Sequence, residues 1–210
     1  MYYFYSILFV LINLSATNTL LASAQKDCIT AYGKELGNNE GVVGYSNCRD
    51  DYYSDQTLIN EHYKIPSGLK WQCVEYARRY YQEKFATTFH DVEGASDIWN
   101  LEFVWNLREN KTHYFNSCPN KISDRSPQIH DLVIYQKSNY LPYGHVAVVV
   151  DVDKDQQLVF IAEQNWTNDV WQHPNYSRVL NLKRDTSGEF ELVDDSDFEI
   201  IGWKYFIKDN

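Results

Sequence analysis

The run Gly144-His145-Val146-Ala147-Val148-Val149-Val150-Asp151, answered by Leu158-Val159-Phe160-Ile161-Ala162-Glu163-Gln164, decides the fold. Both segments are dense in β-branched residues, which favour extended backbone. The polar cluster Asp153-Lys154-Asp155 between them marks a turn. They read as adjacent antiparallel strands. Side chains alternate along a strand, so His145, Ala147 and Val149 share one face, as do Val159, Ile161 and Glu163. A connecting loop of odd length, three or five residues, sets His145 directly opposite Glu163, whereas an even loop sets them on opposite faces.

Outward from this pair, Asp131 to Gln136 and Ile200 to Ile207 have the same composition and read as further strands. Upstream the periodicity changes. In Gln72 to Phe85, Cys73, Tyr76, Ala77, Tyr80 and Tyr81 recur at helical spacing, while Glu75, Arg78, Arg79, Gln82 and Glu83 fall on the opposite face. Cys73 thus sits in the first turn, facing inward. A second helix is expected from Ser96 to Arg108, with Ser96 as its N-cap and Ile98, Leu101, Val104 and Trp105 facing in. Helices first and strands afterwards indicate an α+β domain, with N-terminal helices packed on an antiparallel sheet. Residues 25–70, rich in Gly, Asn, Asp and Tyr, read as an irregular N-terminal arm.

The 210 residues suit one domain, and 44% hydrophobic content is enough for a packed core. A net charge of -10 disfavours nucleic acid and anionic membrane surfaces and favours cationic partners such as polyamines. Residues Met1 to Leu21 carry no charged side chain, and Ala22-Ser23-Ala24 offers the small-x-small pattern of a signal-peptide cleavage site. Residues 1–24 are therefore read as a signal peptide and 25–210 as the mature domain, secreted or periplasmic, with no stable membrane anchor after cleavage. Export permits disulfides. If Cys73 stays free for catalysis, Cys28, Cys48 and Cys118 leave room for one internal pair; Cys28 with Cys48 closes the shortest loop, but the sequence does not choose. Neither C-x-x-C nor H-E-x-x-H spacing occurs, so no metal is expected.

The chemistry these residues could perform is nucleophilic. A cysteine attacks a carbonyl as thiolate, and a helix start or a neighbouring imidazolium lowers its pKa. His145 could supply the imidazolium, and Glu163 a carboxylate on the second ring nitrogen. The Cys73 backbone N–H and the Gln72 side chain could donate to an oxyanion. Each residue also has a plainer reading: a cysteine on an apolar helix face is commonly a small buried hydrophobe, and a Glu near a strand end is commonly solvated. Convergence of three such residues on one cleft favours the nucleophile, base and orienter arrangement.

The segment Lys70-Trp71-Gln72-Cys73-Val74-Glu75-Tyr76-Ala77-Arg78-Arg79 resembles the nucleophile motif of CHAP domains, the cysteine, histidine-dependent amidohydrolases/peptidases. Gly144-His145-Val146-Ala147 is similar to that family's histidine motif, and Ile161-Ala162-Glu163-Gln164-Asn165 to its acidic motif. The likeness is greatest to the amidase half of glutathionylspermidine synthetase/amidases. It implies a papain-like (NlpC-P60-like) α+β fold and cofactor-free amide hydrolysis through an acyl-enzyme, with Cys73, His145 and Glu163 catalytic. It further implies that Arg78 and Asn165 help hold the substrate. Three functions follow as expectations: hydrolysis of a glutathione-polyamine conjugate, cleavage of peptidoglycan by an exported amidase or endopeptidase, or a binding module of the same fold without turnover.

Overall fold

A computed structural model describes residues 28–207. The expected signal peptide, residues 1–24, lies outside them. Nine of the strands form one antiparallel sheet, in the spatial order β12-β11-β10-β9-β8-β13-β7-β6-β5. Its centre is the sequence-expected set: β8 (Leu132–Tyr135), β9 (His145–Asp153), β10 (Leu158–Ala162) and β13 (Ile200–Phe206). Flanking these are β11 (Arg178–Arg184) and β12 (Phe190–Val193) on one side. On the other lie β7 (Lys111–Pro119), β6 (Phe103–Asn106) and the short β5 (Thr87–Thr88).

Alternation along the central strands gives the sheet two apolar faces. Leu132, Ile134, Val146 and Val148 point toward the helix α1 (Cys73–Phe85) and pack with Tyr76, Ala77, Tyr80 and Tyr81. Each of these buried aromatics contributes on the order of 2 kcal/mol. Val133, Ala147, Val149, Val159, Ile161, Leu180 and Trp203 form the second core. Its fully buried members all come from strands of this same sheet, so the sheet curls over them. Asn120 holds the curl closed: its Nδ2 donates to the carbonyls of Leu192 and Ile200, and its Oδ1 accepts from the Leu192 N–H.

α1 begins at Cys73 and stops where Ala86 adopts the left-handed conformation, φ 51°, its N–H turned back onto the Gln82 and Tyr81 carbonyls. It is not amphipathic in the expected sense. Glu75, Arg78, Arg79 and Gln82 are buried as well as the tyrosines. The reason is the N-terminal arm, which is not irregular but folds into two hairpins, β1 (Glu35–Asn39) with β2 (Val42–Tyr45) and β3 (Thr57–Asn60) with β4 (Ile65–Leu69). These cover the polar face of α1, whose charges are satisfied there: Arg79 Nε donates to Glu75 Oε1 at 2.6 Å and Arg79 Nη2 to the Val43 carbonyl at 2.9 Å.

The expected second helix does not form. Only a 3-10 helix spans Ala95–Asn100, preceded by Gly94 rather than capped by Ser96. The Asp97 carboxylate accepts from the Gly94 N–H and is taken by Lys137 from outside. Beyond Leu101 the chain becomes β6, with Val104 and Asn106 inward and Phe103 and Trp105 outward. Leu101, Val104 and Trp105 fit a period of 3.6, but the strand period of two governs here, because Phe103 and Trp105 alternate with Val104 and Asn106. Among the described residues the fold is thus α+β, but with one α-helix on a large sheet rather than a set of helices packed on one.

Candidate active site

Strand ends and the helix start meet at one corner. Strand β9 opens with His145, directly after Gly144, whose φ is +67°. A Cβ on Gly144 would lie 2.6 Å from the Tyr135 carbonyl and 2.7 Å from Ser96, so glycine alone brings the two strands and the 3-10 segment this close. The His145 Nε2 lies 2.8 Å from Glu163 Oε2, and both residues are fully enclosed. Nδ1 is then the ring nitrogen left for the Cys73 thiol, which the ring hydrogen-bonds. The backbone N–H groups of Val146 and Val74 also donate to that sulfur.

The register that allows this is not the expected one. The turn holds four residues, and near it Leu158 pairs with Asp153, Val159 with Val152 and Phe160 with Asp151. That ladder alone would put His145 and Glu163 on opposite faces. A bulge intervenes, leaving Val150 unpaired, so that Ile161 pairs with Val149 and Ala162 with Val148. Continued by one residue, the shifted ladder brings Glu163 across from Ala147, on the face that His145 shares.

The electrostatics of the three groups are mutually dependent. Burial pushes the Cys73 thiol up, but the His145 charge and hydrogen bond outweigh it and leave the thiol below its ordinary value. Burial pushes His145 toward the neutral ring, yet the Cys73 thiolate and then Glu163 raise it to about 9. Burial disfavours ionised Glu163, and the Arg178 guanidinium, followed by His145, brings it down to about 2. An imidazolium and a carboxylate are therefore the forms favoured near neutral pH, and the imidazolium eases ionisation of the thiol beside it.

The other expected residues lie close by in different ways. Gln72 precedes the helix and makes no capping bond with its side chain. Its amide is held at both ends, Oε1 accepting from Asn165 Nδ2 at 2.7 Å and Nε2 donating to Asn47 Oδ1 at 3.3 Å. That leaves one Nε2 hydrogen beside the Cys73 N–H, both unclaimed by the helix. Asn165 therefore touches Gln72 in this structure, and its Oδ1 accepts from Asn47 and Asn168. Gln164 ties the acidic segment to the helix through Glu75, Arg79 and the Gln72 carbonyl. Arg78 is buried, bonded to the Ser67 and His90 carbonyls and to Asp91, with its Nε unpartnered.

A cleft of about 1060 Å³ leads to the thiol, lined among others by Gln72, Cys73, Arg78, Asp91, Trp105 and Tyr143. Asp91 and Glu93 are the exposed carboxylates that line the cleft. Cys28 and Cys48 form a disulfide, while Cys73 and Cys118 are free. Among the described residues no cluster of three or more His, Cys, Asp or Glu is arranged to hold a metal.

The model of the CHAP domain matches residues 64–165. Residues 64–165 belong to the CHAP family. Cys73, His145 and Glu163, with Gln72, Arg78 and Asn165, all lie inside that span. The full chain is also 32% identical over 138 residues to a glutathionylspermidine synthase of Crithidia fasciculata, covering 65% of this chain and 19% of that protein. It is 30% identical over 184 residues to the bifunctional glutathionylspermidine synthetase/amidase of Escherichia coli, covering 82% of this chain and 29% of that one. The chain thus spans less than a third of the length of these curated relatives. The crystal structure of Ly7917 aligns over 63% of this chain and 52% of its own, at 16% identity and a TM-score of 0.33, too distant to bear on function.

Sequence reasoning missed Arg178, Ser177, Asp194, Tyr135 and Trp166, which surround Glu163 and His145. Arg178 and Asp194 lie beyond the CHAP span, Arg178 opening β11 and Asp194 just after β12, two strands the sequence reading did not find. The one available signal was the alternation in Arg178-Val179-Leu180-Asn181-Leu182, a half-buried strand opening on a charged residue.

Proposed function

We propose that this protein is a cysteine amidase that hydrolyses an amide through a thioester. The observation that carries the proposal is the Cys73–His145–Glu163 relay at the end of an open cleft, with Glu163 on the ring nitrogen that does not face sulfur. The Cys73 thiolate attacks the carbonyl carbon, forming a C–S bond while the carbonyl electrons move to oxygen. The Cys73 N–H and the Gln72 amide stabilise that oxyanion. Collapse breaks the C–N bond, and the His145 imidazolium protonates the departing amine. Water then attacks the thioester, His145 accepts its proton, and the C–S bond breaks to restore the thiolate.

The substrate favoured is a glutathione-polyamine conjugate of the glutathionylspermidine type. Support comes from the names of the relatives and from a cleft rim whose acidic side chains, Asp91 and Glu93, suit a cationic amine leaving group. Arg78, with its unpartnered buried Nε, would hold the acyl side, and Asn165 acts on substrate through Gln72. The fold expected of such an enzyme is papain-like.

One observation favours a second reading. The Cys28–Cys48 disulfide suits an oxidising compartment, as does the expected leader, and both fit an exported enzyme cutting peptidoglycan. Incubation of the mature protein with glutathionylspermidine and with purified sacculi separates the two. Spermidine release without muropeptides supports the first; muropeptides without spermidine support the second. Release of neither, with Cys73 no more reactive to alkylation than an ordinary thiol, would leave a binding module and overturn both. Cys73→Ala is expected to abolish turnover and keep substrate binding.

A further inference from the structure

The reading of Cys73, His145 and Glu163 as a relay leaves unexplained why Glu163 is so heavily engaged. Its Oε1 accepts from Arg178 Nε at 2.6 Å and from Ser177 Oγ at 3.0 Å, while Oε2 accepts from His145 Nε2 and from Arg178 Nη2 at 3.1 Å. Arg178 is itself held by Asp194 Oδ2 at 2.6 Å and by the Tyr135 hydroxyl at 3.2 Å. Along one edge of five neighbouring strands, β12-β11-β10-β9-β8, Asp194 and Glu163 thus directly follow β12 and β10, Arg178 and His145 open β11 and β9, and Tyr135 closes β8.

We propose that Arg178 is a positioning residue for the reaction: its two-point fork fixes the plane of the Glu163 carboxylate and keeps it ionised against His145. This inference rests on the relay proposed above. The geometry is specific to a guanidinium, because Nε and Nη2 take one carboxylate oxygen each while Nη1 remains for Asp194. Trp166 lies against both partners, its ring 3.9 Å from the Arg178 guanidinium carbon and 4.8 Å from the His145 ring, and screens the pair from water.

Charge arithmetic gives Arg178 more than a packing role. Along the strand ends the signs alternate: Asp194 negative, Arg178 positive, Glu163 negative, His145 positive, and the Cys73 sulfur, negative once ionised, beyond it. Asp50 adds a weaker negative influence on His145 from the arm. Removing the guanidinium leaves Asp194 and Glu163 as two buried carboxylates around a vacancy, and one of them takes a proton in preference to facing the other charged. A protonated Glu163 no longer supports the imidazolium, and the thiol of Cys73 then ionises at higher pH.

The test reads that thiol without any substrate. Wild type, Arg178→Met and Arg178→Lys are alkylated with iodoacetamide across a pH series, and modification is read at the Cys73 peptide by mass spectrometry. kcat and KM are measured on whichever amide the wild type cleaves. For Arg178→Met the alkylation midpoint is expected to rise by about one unit or more. Its kcat is expected to fall about 10- to 100-fold, the usual cost of losing a group that orients a site residue, with KM within about twofold. Arg178→Lys keeps the charge and loses the fork, so it should hold the wild-type midpoint while recovering only part of kcat. A folded Arg178→Met with an unmoved midpoint, or Arg178→Lys with wild-type kcat, overturns the inference. If Arg178→Met does not fold, the kcat of Arg178→Lys decides. Failure of the underlying relay looks different: the wild-type thiol would itself show an ordinary midpoint.

Discussion

Glu163 meets His145, at 2.8 Å, only because the strand pair that carries them slips by one residue at Val150. The contact is a hydrogen bond between fully enclosed groups, so the carboxylate acts on the ring with little screening. In the proposed relay it orients and charges the ring and carries no proton, which ranks the two substitutions. Glu163→Gln is expected to lower kcat less than His145→Ala does, because the base itself remains. It should also lower stability by about 1–3 kcal/mol, since an amide nitrogen would face donors from Arg178, Ser177 or His145. Steady-state kinetics and urea melts on both variants check this. Equal losses in kcat would remove Glu163 from the orienting role.

The pH profile follows from the same cluster. His145 is raised to about 9, so the imidazolium needed to protonate the leaving amine persists through neutral pH and is lost as pH rises through about 9. The thiol is lowered, so the acid limb falls below the ordinary cysteine range. kcat/KM should therefore be a bell whose alkaline limb lies near pH 9, and a limb near 6.5, the value of a free imidazole, would contradict the ion pair. Linkage carries the sign into stability. Glu163, depressed to about 2, contributes stability that is complete above its unfolded value near 4.5 and is lost as pH falls through about 2. Glu163→Gln should lose its stability deficit relative to wild type progressively below pH 4.5, as measured by denaturant melts.

What the sequence made legible was the part governed by short-range pattern. The helix carrying Cys73 and the strands β8, β9, β10 and β13 follow from apolar spacing and β-branched composition, and the candidate residues Cys73 and His145 fall on them, with Glu163 one residue past β10. The arm was misread because β1 to β4 are short and rich in Gly and Asn, and their pairing is set by packing onto α1 rather than by propensity. The polar face of α1 looked solvated because nothing in Glu75-x-x-Arg78-Arg79 declares that a hairpin will cover it. The bulge at Val150 was invisible for a related reason. Five residues from Val146 to Val150 are nearly interchangeable, so no side chain marks where the ladder slips. Arg178 and Asp194 reach Glu163 only through the curl of the sheet, a long-range consequence that no local pattern records.

The arm bears on the site through Trp171, whose indole N–H donates to the Glu163 carbonyl at 3.2 Å. Its ring lies flat against Gly37 and Gly44 of the first hairpin, and a Cβ on either glycine would overlap the indole atoms. Gly44→Ala is therefore expected to push the ring outward at a cost of about 1–3 kcal/mol. Because the displaced indole carries the Glu163 backbone with it, kcat should fall as well, with KM little changed. Thermal denaturation and kinetics on Gly44→Ala check both effects; a wild-type Tm would show that the hairpin simply moves aside.

The disulfide should act on the same corner from the opposite side. Cys48 follows Asn47, a fully buried residue whose Nδ2 donates to the Tyr52 carbonyl and to Asn165 Oδ1, and whose Oδ1 holds the Gln72 amide. The Cys28–Cys48 bond closes a separation of 20 residues, and a loop of that size stabilises the folded chain by about 3 kcal/mol. The Cys28→Ser/Cys48→Ser double variant is expected to lose about that much in denaturant melts. Its catalytic loss should resemble that of Asn47→Ala, in which Gln72 keeps Asn165 and loses its second anchor: a lower kcat, with KM nearly constant, as the oxyanion donor loosens. Measured together, the two variants should be less than additive in kcat, because they act through one amide. If the double variant unfolds more easily yet turns over at the wild-type rate, the cross-link secures the arm alone and Asn47 holds Gln72 without it.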